Sequence, residues 1–383
     1  MSMENRKEKR PSLLRFSVLQ NYPALQTILA SLLCVLAGLL IGFIVLLLIN
    51  PGGATEAMGT IVSNFMSFKK ATKQISNLGN TLVKTVPLLM CSLSVLFSYK
   101  VGLFNIGAAG QYVAGIGAAL FFAHGLNCPW WVCMIMAMLA GASLGAVSGL
   151  LKATRNVNEV ISGIMLNWIC LYLVNMLLAP YMDIKMNETF ALTSSHPSAV
   201  IPASPLFGSL LNNHKYTTIA VELALLIAIA VWILMTKTRL GYELRATGLN
   251  KYAARYSGMR DGINIILTMA ISGGLAGLGA SMFYLTDMIK WPMAVTSVPA
   301  MGFNGIAAAF LGGLHPIGAI FSSFFIQHIT DGGSFMEKIY PSEIAGFISA
   351  VIIYMCAFVL LIKQQLKKIR LHRSEQQKGG EAK

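Results

Sequence analysis

The sequence predicts an all-α membrane protein that crosses the bilayer about eight to ten times, and three observations carry that expectation. Of its 383 residues 55% are hydrophobic and only 11% charged, whereas a soluble globular domain carries about 25% charged residues. The mean hydropathy is +0.65. Charge-poor runs recur along the whole chain, most of them near the roughly 20 residues that one helical crossing needs at about 1.5 Å rise each. These runs lack the apolar/polar alternation of barrel strands, and a helix satisfies every backbone N–H and C=O that lipid leaves without a partner.

Taken in order, the first run, residues 28–49, exceeds the roughly 7–15 residues of a signal-peptide core, and no small-residue cleavage site follows it. It reads as a retained helix behind an N-terminal tail, 1–27. Residues 51–80 read as an outer loop, and spans follow at 85–99, 101–123, 125–151 and 160–182. Gly141, Gly145 and Gly149 recur every fourth residue in the fourth span and give it a smooth face that a second helix backbone can approach. An external loop is expected at 180–215, spans at 223–236 and 262–286 around a basic segment, 237–260, and a last span at 344–362 before a tail, 363–383. The membrane region as a whole is then 28–362.

The net charge of +14 raises the question of nucleic acid, but the placement of the charges answers it. Basic residues gather in the N-terminal tail (Arg6, Lys7, Lys9, Arg10, Arg15), at Lys152 and Arg155, through 237–260, and from Lys363 to Arg373. Counting spans places all four groups on one side, which the positive-inside rule makes cytoplasmic, with both termini there. Lys69, Lys70 and Lys73 fall on the outer side, in a segment long enough for the bias to weaken.

With both tails on one side, the run 291–330 must leave and re-enter. It divides at His315-Pro316 into halves of about 12 residues, each about 18 Å of helix against a hydrocarbon core of about 30 Å. Short or broken helices are tolerated in a membrane where protein or a watered cavity covers their ends, so this stretch is expected to line a transport path or to pack as two short tilted helices. Gly102-Leu-Phe-Asn-Ile-Gly-Ala-Ala109 also echoes Gly302-Phe-Asn-Gly-Ile-Ala-Ala-Ala309, as internal repeats of transporters do.

The segment KTRLGYELRATGLNKYAARYSGMR, 237–260, is the most polar in the interior of the chain. Asn250 as N-cap and Gly258 as stop predict a short helix with Leu249, Tyr252, Ala253 and Tyr256 on one face and Lys251 and Arg255 on the other. Ala253 and Ala254 keep it thin. Such a helix fits a groove on a soluble partner, or lies among lipid headgroups.

These residues resemble a family. GYELRATGLNKYAARYSGM is similar to the coupling segment of permease subunits of ATP-binding-cassette (ABC) importers, in the branched-chain amino acid and simple-sugar permease superfamily. VGLFNIGAAGQYVAG, NEVISGIMLNW, ISGGLAGLGASM and GFNGIAAAFLGGLHPIGAIF match the expected blocks in order along nearly the whole chain. The combination most resembles the nucleoside permeases that work with a lipoprotein receptor. Departures are Phe310, where a smaller aliphatic residue is common, and Gly110-Gln111, where an acidic residue is often seen.

The resemblance implies a multi-pass subunit of a bacterial cytoplasmic membrane. It also implies a partner ATPase gripping Gly241, Glu243, Arg245, Gly248, Asn250, Tyr252, Ala253, Ala254, Arg255 and Gly258, a second related permease chain, and an external substrate-binding lipoprotein. This chain itself has no Gly-Lys dipeptide and therefore no G-x-x-x-x-G-K-[ST] phosphate loop, so ATP is expected to be hydrolysed by the partner and no cofactor bound here. The alternative cargo is a simple sugar such as ribose.

A neutral nucleoside calls for amides and aromatics along the path. The candidates are Phe104, Asn105, Gln111, Asn167, Trp168, Phe303, Asn304 and Gln327, each of which can equally serve as a hydrogen bond between helices. Glu159 is expected to pair with Arg155, while Glu222 and Lys84 reach water at outer helix ends. No CxxC pair occurs, and His315 and His328 stand alone, so a metal site is not expected. An ion-coupled transporter would need acids inside the spans, and the acids read as lying at span ends. A membrane-embedded enzyme would need a convergent catalytic set, and none is visible.

Overall fold

The computed structural model describes residues 23–365 apart from 339, 357 and 360; the predicted basic tails therefore lie almost wholly outside the described residues. The chain is helical. Helix α1 is Pro23–Ile49, α2 Ala54–Ser63, α3 Ala71–Lys100, α4 Ala108–His124, α5 Trp130–Arg155 and α6 Glu159–Leu178. After a segment holding a two-residue hairpin (Met182–Asp183 with Glu188–Thr189) and two helices of six residues or fewer come α7, Ala220–Lys237, α8, Arg239–Leu249, and α9, Lys251–Tyr256. The chain continues with α10, Asp261–Tyr284, α11, Met301–Leu311, α12, Pro316–Ser334, and α13, Ser342–Cys356. Among the described residues six helices are long and apolar enough to cross a membrane: α1, α3, α5, α6, α7 and α10. The others that run through the bundle, α4, α12 and α13, are shorter or more polar.

Helix α3 is the axis of the bundle, and from Thr85 to Ser98 every one of its residues is buried. Glycine sets how closely its neighbours pack. A Cβ on Gly141 would strike the Gly273 carbonyl, one on Gly145 the Met269 carbonyl, and one on Gly149 would stand 2.9 Å from Ile266 Cα, so the three glycines of α5 seat the backbone of α10. The main core joins α3, α4, α5, α6, α7 and α10. A second cluster holds α1 and α2 against α12 and α13, with Gly38 and Gly42 of α1 set against Ile352 and Ile348.

Three stretches differ from expectation. Residues 51–80 are not a loop: α2 and the first turns of α3 occupy most of them, because Lys73, Gln74 and Asn77 carry α3 beyond its apolar part at a helix end that polar side chains tolerate. Residues 101–107 do not belong to a span; they run without helix, and α4 begins only at Ala108. The run 291–330 breaks at His315-Pro316 but unequally: His315 Nδ1 accepts from the Ile317 amide, Pro316 opens the helix, and α12 runs 19 residues, continuing past Thr330 because Asp331 has partners inside the protein.

The two echoing segments meet. The backbone of Gly302, at the start of α11, abuts Ala109, at the start of α4, and a Cβ on Gly305 would stand 2.7 Å from that of Cys91, midway along the apolar part of α3. From there α4 runs toward His124, which stacks on Tyr181, while α11 runs the opposite way toward Phe310, whose ring meets Tyr99 near the end of α3. Two helix N-termini thus converge inside the bundle and diverge from it, the arrangement that broken transporter helices adopt around a site.

Candidate coupling surface and translocation core

The coupling segment is built from local hydrogen bonds. Thr238 Oγ1 donates to the Leu234 carbonyl at 2.6 Å and accepts from the Gly241 amide at 3.1 Å, so the chain turns sharply from α7 into α8, with Gly241 too close to Leu234 for a side chain. Glu243 pairs with Arg239 at 3.0 Å, and Arg245 donates to the Gly241 carbonyl at 3.2 Å. Thr247 Oγ1 accepts from Asn264 at 2.8 Å and fixes α8 to α10. Asn250 accepts from the Tyr252 and Ala253 amides at 3.0 and 3.1 Å, and Gly258, at φ +82°, ends the turn after α9 with no neighbour within 4 Å of its would-be Cβ.

Helix α9 turns its large side chains outward. Tyr252 and Tyr256 are 72% and 95% exposed, as is Leu249 at the end of α8 at 89%, whereas Ala254 is buried against the protein's own bundle. The thin face therefore serves internal packing and the aromatic face is what a partner meets. Arg255 binds Asp261 through both carboxylate oxygens, at 3.0 and 2.8 Å, and Asp261 holds the guanidinium above its usual pKa. This bond anchors α9 to the N-terminus of α10, where a carboxylate is favoured. A cleft of about 520 Å³ opens between α9, the turn after α5 and the start of α10, with Lys152, Asn156, Gly248, Lys251, Arg255 and Asp261 among its walls.

Asn105 and Gln111 join at the start of α4. Asn105 Nδ2 donates to Gln111 Oε1 at 2.7 Å and to Ser272 Oγ at 2.6 Å, Gln111 Nε2 returns a bond to Asn105 Oδ1 at 3.2 Å, and Ser272 donates to the Ser94 carbonyl at 2.8 Å. Asn167 accepts from the Gly110 amide at 2.7 Å and donates to the Ile106 carbonyl at 3.2 Å. All three amides are buried, and their bonds fasten the non-helical stretch 102–107 to α3, α6 and α10. Phe104 meets Tyr99 edge to face.

The other path candidates lie elsewhere. Phe303 and Trp168 face outward, Trp168 stacked on Tyr172, and Asn304 is half-buried beside Phe303 on α11. Asn175 Nδ2 donates to the Val295 carbonyl at 2.7 Å, so the chain leading to α11 passes α6 at Asn175. Gln327 belongs to a separate network: it donates to Asp331 at 3.0 Å, as do Lys84 and Thr81, each at 2.9 Å, and Asn64 contacts His328 at 3.1 Å.

Two sequence readings are corrected here. Glu159 pairs with Lys152 at 2.9 Å, not with Arg155, because Asn156 in the left-handed region reverses the chain and brings the fourth-last residue of α5, Lys152, over the first residue of α6. Lys84 bonds Asp331, which lies within α12 and is 5% exposed, so not every acid sits at a span end. Asp261 and Asp331 both escaped the sequence reading; an acid opening an apolar run, or interrupting one four residues after a glutamine, was the available signal.

Fold and site define a helical, multi-pass membrane protein with a capped, outward-facing short helix on its polar loop and broken helices at its centre, which is the architecture of a transport subunit. Residues 77–357 match the family described as branched-chain amino acid transport system / permease component. Guanosine ABC transporter permease protein NupP of Bacillus subtilis (strain 168) is 31% identical over 303 residues, 78% of this chain and 85% of that one. Nucleoside ABC transporter permease protein NupB of Lactococcus lactis subsp. cremoris (strain MG1363) is 31% identical over 374 residues, 93% and 98% of the two chains. Glucose ABC transporter permease protein TsgB13 of Haloferax volcanii is 28% identical over 361 residues, 91% of each. The chain belongs to the branched-chain amino acid transport system / permease component family: it is an ABC-type permease subunit, a component of transport rather than an enzyme.

Proposed function

We propose that the chain forms the membrane pathway of an ATP-driven importer of nucleosides in a bacterial cytoplasmic membrane. It works there with an ATPase that grips α8 and α9, a second related permease chain and an external substrate-binding lipoprotein. The observation that carries the coupling role is α9 with the residue before its cap: both ends of α9 are fixed by the chain's own caps, yet Tyr252 and Tyr256, with Leu249 at the end of α8, project into solvent beside Lys251 and Arg255. Large apolar side chains on a charged loop are surface that a soluble partner covers. Nucleoside cargo is supported by the two relatives named for guanosine and nucleoside. The glucose permease relative favours a sugar as the second reading.

In this reading nucleotide binding closes the ATPases, draws the α9 helices of the two permease chains together and turns the pathway from outward to inward access. The path candidates divide by what their polar groups already do. Asn105, Gln111 and Asn167 spend them on internal bonds that fix the start of α4, and Gln327 on Asp331, which leaves the partly exposed Phe303, Asn304 and Trp168 as the candidates free to meet a cargo. A base would stack on the aromatics and ribose hydroxyls would bond the Asn304 amide.

The test is a pair of substitutions on the outer face of α9. Tyr252→Ala with Tyr256→Ala removes side chains that are 72% and 95% exposed, so the chain should insert normally while its ATPase co-purifies about tenfold less. Full ATPase recovery with the doubly substituted chain would refute the coupling role. Uptake of labelled guanosine, uridine and glucose by the assembled transporter separates the nucleoside reading from the sugar reading.

A further inference from the structure

The structure assigns Gly102 and Gly248 to a backbone-on-backbone joint that transmits movement of the coupling helix to the meeting point of α4 and α11; this rests on the proposed ATPase coupling. The two glycines touch with no side chain between them. A Cβ on Gly102 would stand 2.9 Å from the Gly248 carbonyl oxygen, and one on Gly248 would strike the Val101 carbonyl. Gly102 also sits at φ +76°, a conformation that only glycine adopts at little cost.

On one side of the joint, Gly248 is two residues from Asn250, the cap of α9, so a displacement of α9 reaches Gly248 almost directly. On the other side, Gly102 is three residues from Asn105, whose amide is bonded to Gln111 and Ser272. Next in the chain, Asn167 holds the Ile106 carbonyl and the Gly110 amide, and Ala109 abuts Gly302. The stretch 102–107 is therefore a short strut, tied by hydrogen bonds at its α4 end and pressed by bare backbone at its coupling-segment end. The joint lies on the wall of the 520 Å³ cleft, with both glycines exposed there, and its contact is backbone against backbone, which has no rotamer to change when it is pressed. The Arg255–Asp261 pair offers a softer parallel route into α10 through two side chains, both toward the solvent edge.

The experiment uses the complete transporter, with ATPase, both permease chains and receptor, in proteoliposomes, and compares wild type with Gly102→Ala. The added methyl group strains the left-handed backbone and pushes the two segments apart without touching α9. The expected result is retained ATPase binding and hydrolysis with the ATP used per solute imported raised about tenfold, the size of effect that coupling residues show. An unchanged ratio with the ATPase bound overturns the joint and leaves the coupling reading standing. A wild-type chain that binds no ATPase removes the coupling reading and the joint with it. Should Gly102→Ala fail to assemble, hydrogen exchange of the wild-type complex decides. Trapping the ATPases with nucleotide should change exchange in 101–107 together with that in α9, and a change confined to α9 overturns the joint.

Discussion

Single residues show how far this bundle relies on the absence of a side chain. Gly141 lies where any Cβ would enter the Gly273 carbonyl, so Gly141→Val should separate α5 from α10 and destabilise the protein by at least about 1–3 kcal/mol, read as a lowered melting temperature in detergent. The acids make the opposite case, being defined by their partners. Asp331→Asn keeps a carbonyl for the Thr81 and Gln327 donors but leaves the Lys84 ammonium without its carboxylate, at a cost of about 1–2 kcal/mol, below that of a wholly buried pair because the Lys84 side chain is 36% exposed. Adding Lys84→Met should restore much of the loss, and a double variant less stable than the single would contradict the pairing. The glycine spacing of α5 announced its packing because a four-residue repeat marks one helix face. The partner of Asp331 could not be read from the chain, because Lys84 lies 247 residues away.

At the scale of elements, caps decide where the helices end, and caps are local enough to be legible. Asn250 and Gly258 bound α9 by the side-chain acceptor and the positive φ that those residue types supply. The length of α12 was hidden, because a run read as ending at a charge continues when that charge is paired. The stretch 101–107 was also hidden: its apolar composition suits a span, and it leaves the helix at Gly102, φ +76°, and is held by the amides of Asn105, Gln111 and Asn167, brought together from three segments. The outer loop adds a pH-dependent element. His214 packs on Gly79 of α3 and shares a 3.0 Å bond with Thr217, and burial pushes its pKa below the ordinary value. A depressed histidine stabilises the docked loop above about pH 6.5, and that stability is lost as pH falls through the lowered pKa. Protection of the amides of residues 205–217, measured as exchange relative to the intrinsic rate at each pH, should therefore fall between pH 7 and pH 5 in wild type, and much less in His214→Gln.

The whole molecule joins two features that charge and hydropathy alone treat separately. A polar loop that presents aromatics to solvent is linked through backbone to a centre where two helix N-termini face each other. The chain's composition gave its class, and the order of its motifs gave its family, since both are properties of sequence along the chain. The convergence of α4 and α11 is a property of space; the echo between 102–109 and 302–309 was its only trace. Replacing Asn304 or Phe303 with Ala should lower import severalfold while assembly and ATPase binding stay intact, since neither side chain is wholly enclosed by the bundle. The central claim is that this chain moves solute only when a bound ATPase works on α9. The direct measurement is accumulation of labelled nucleoside in proteoliposomes with and without ATP, the ATPase and the receptor. The account predicts uphill transport with all components and none when ATPase or ATP is withheld; uphill accumulation driven by this chain without nucleotide would contradict it.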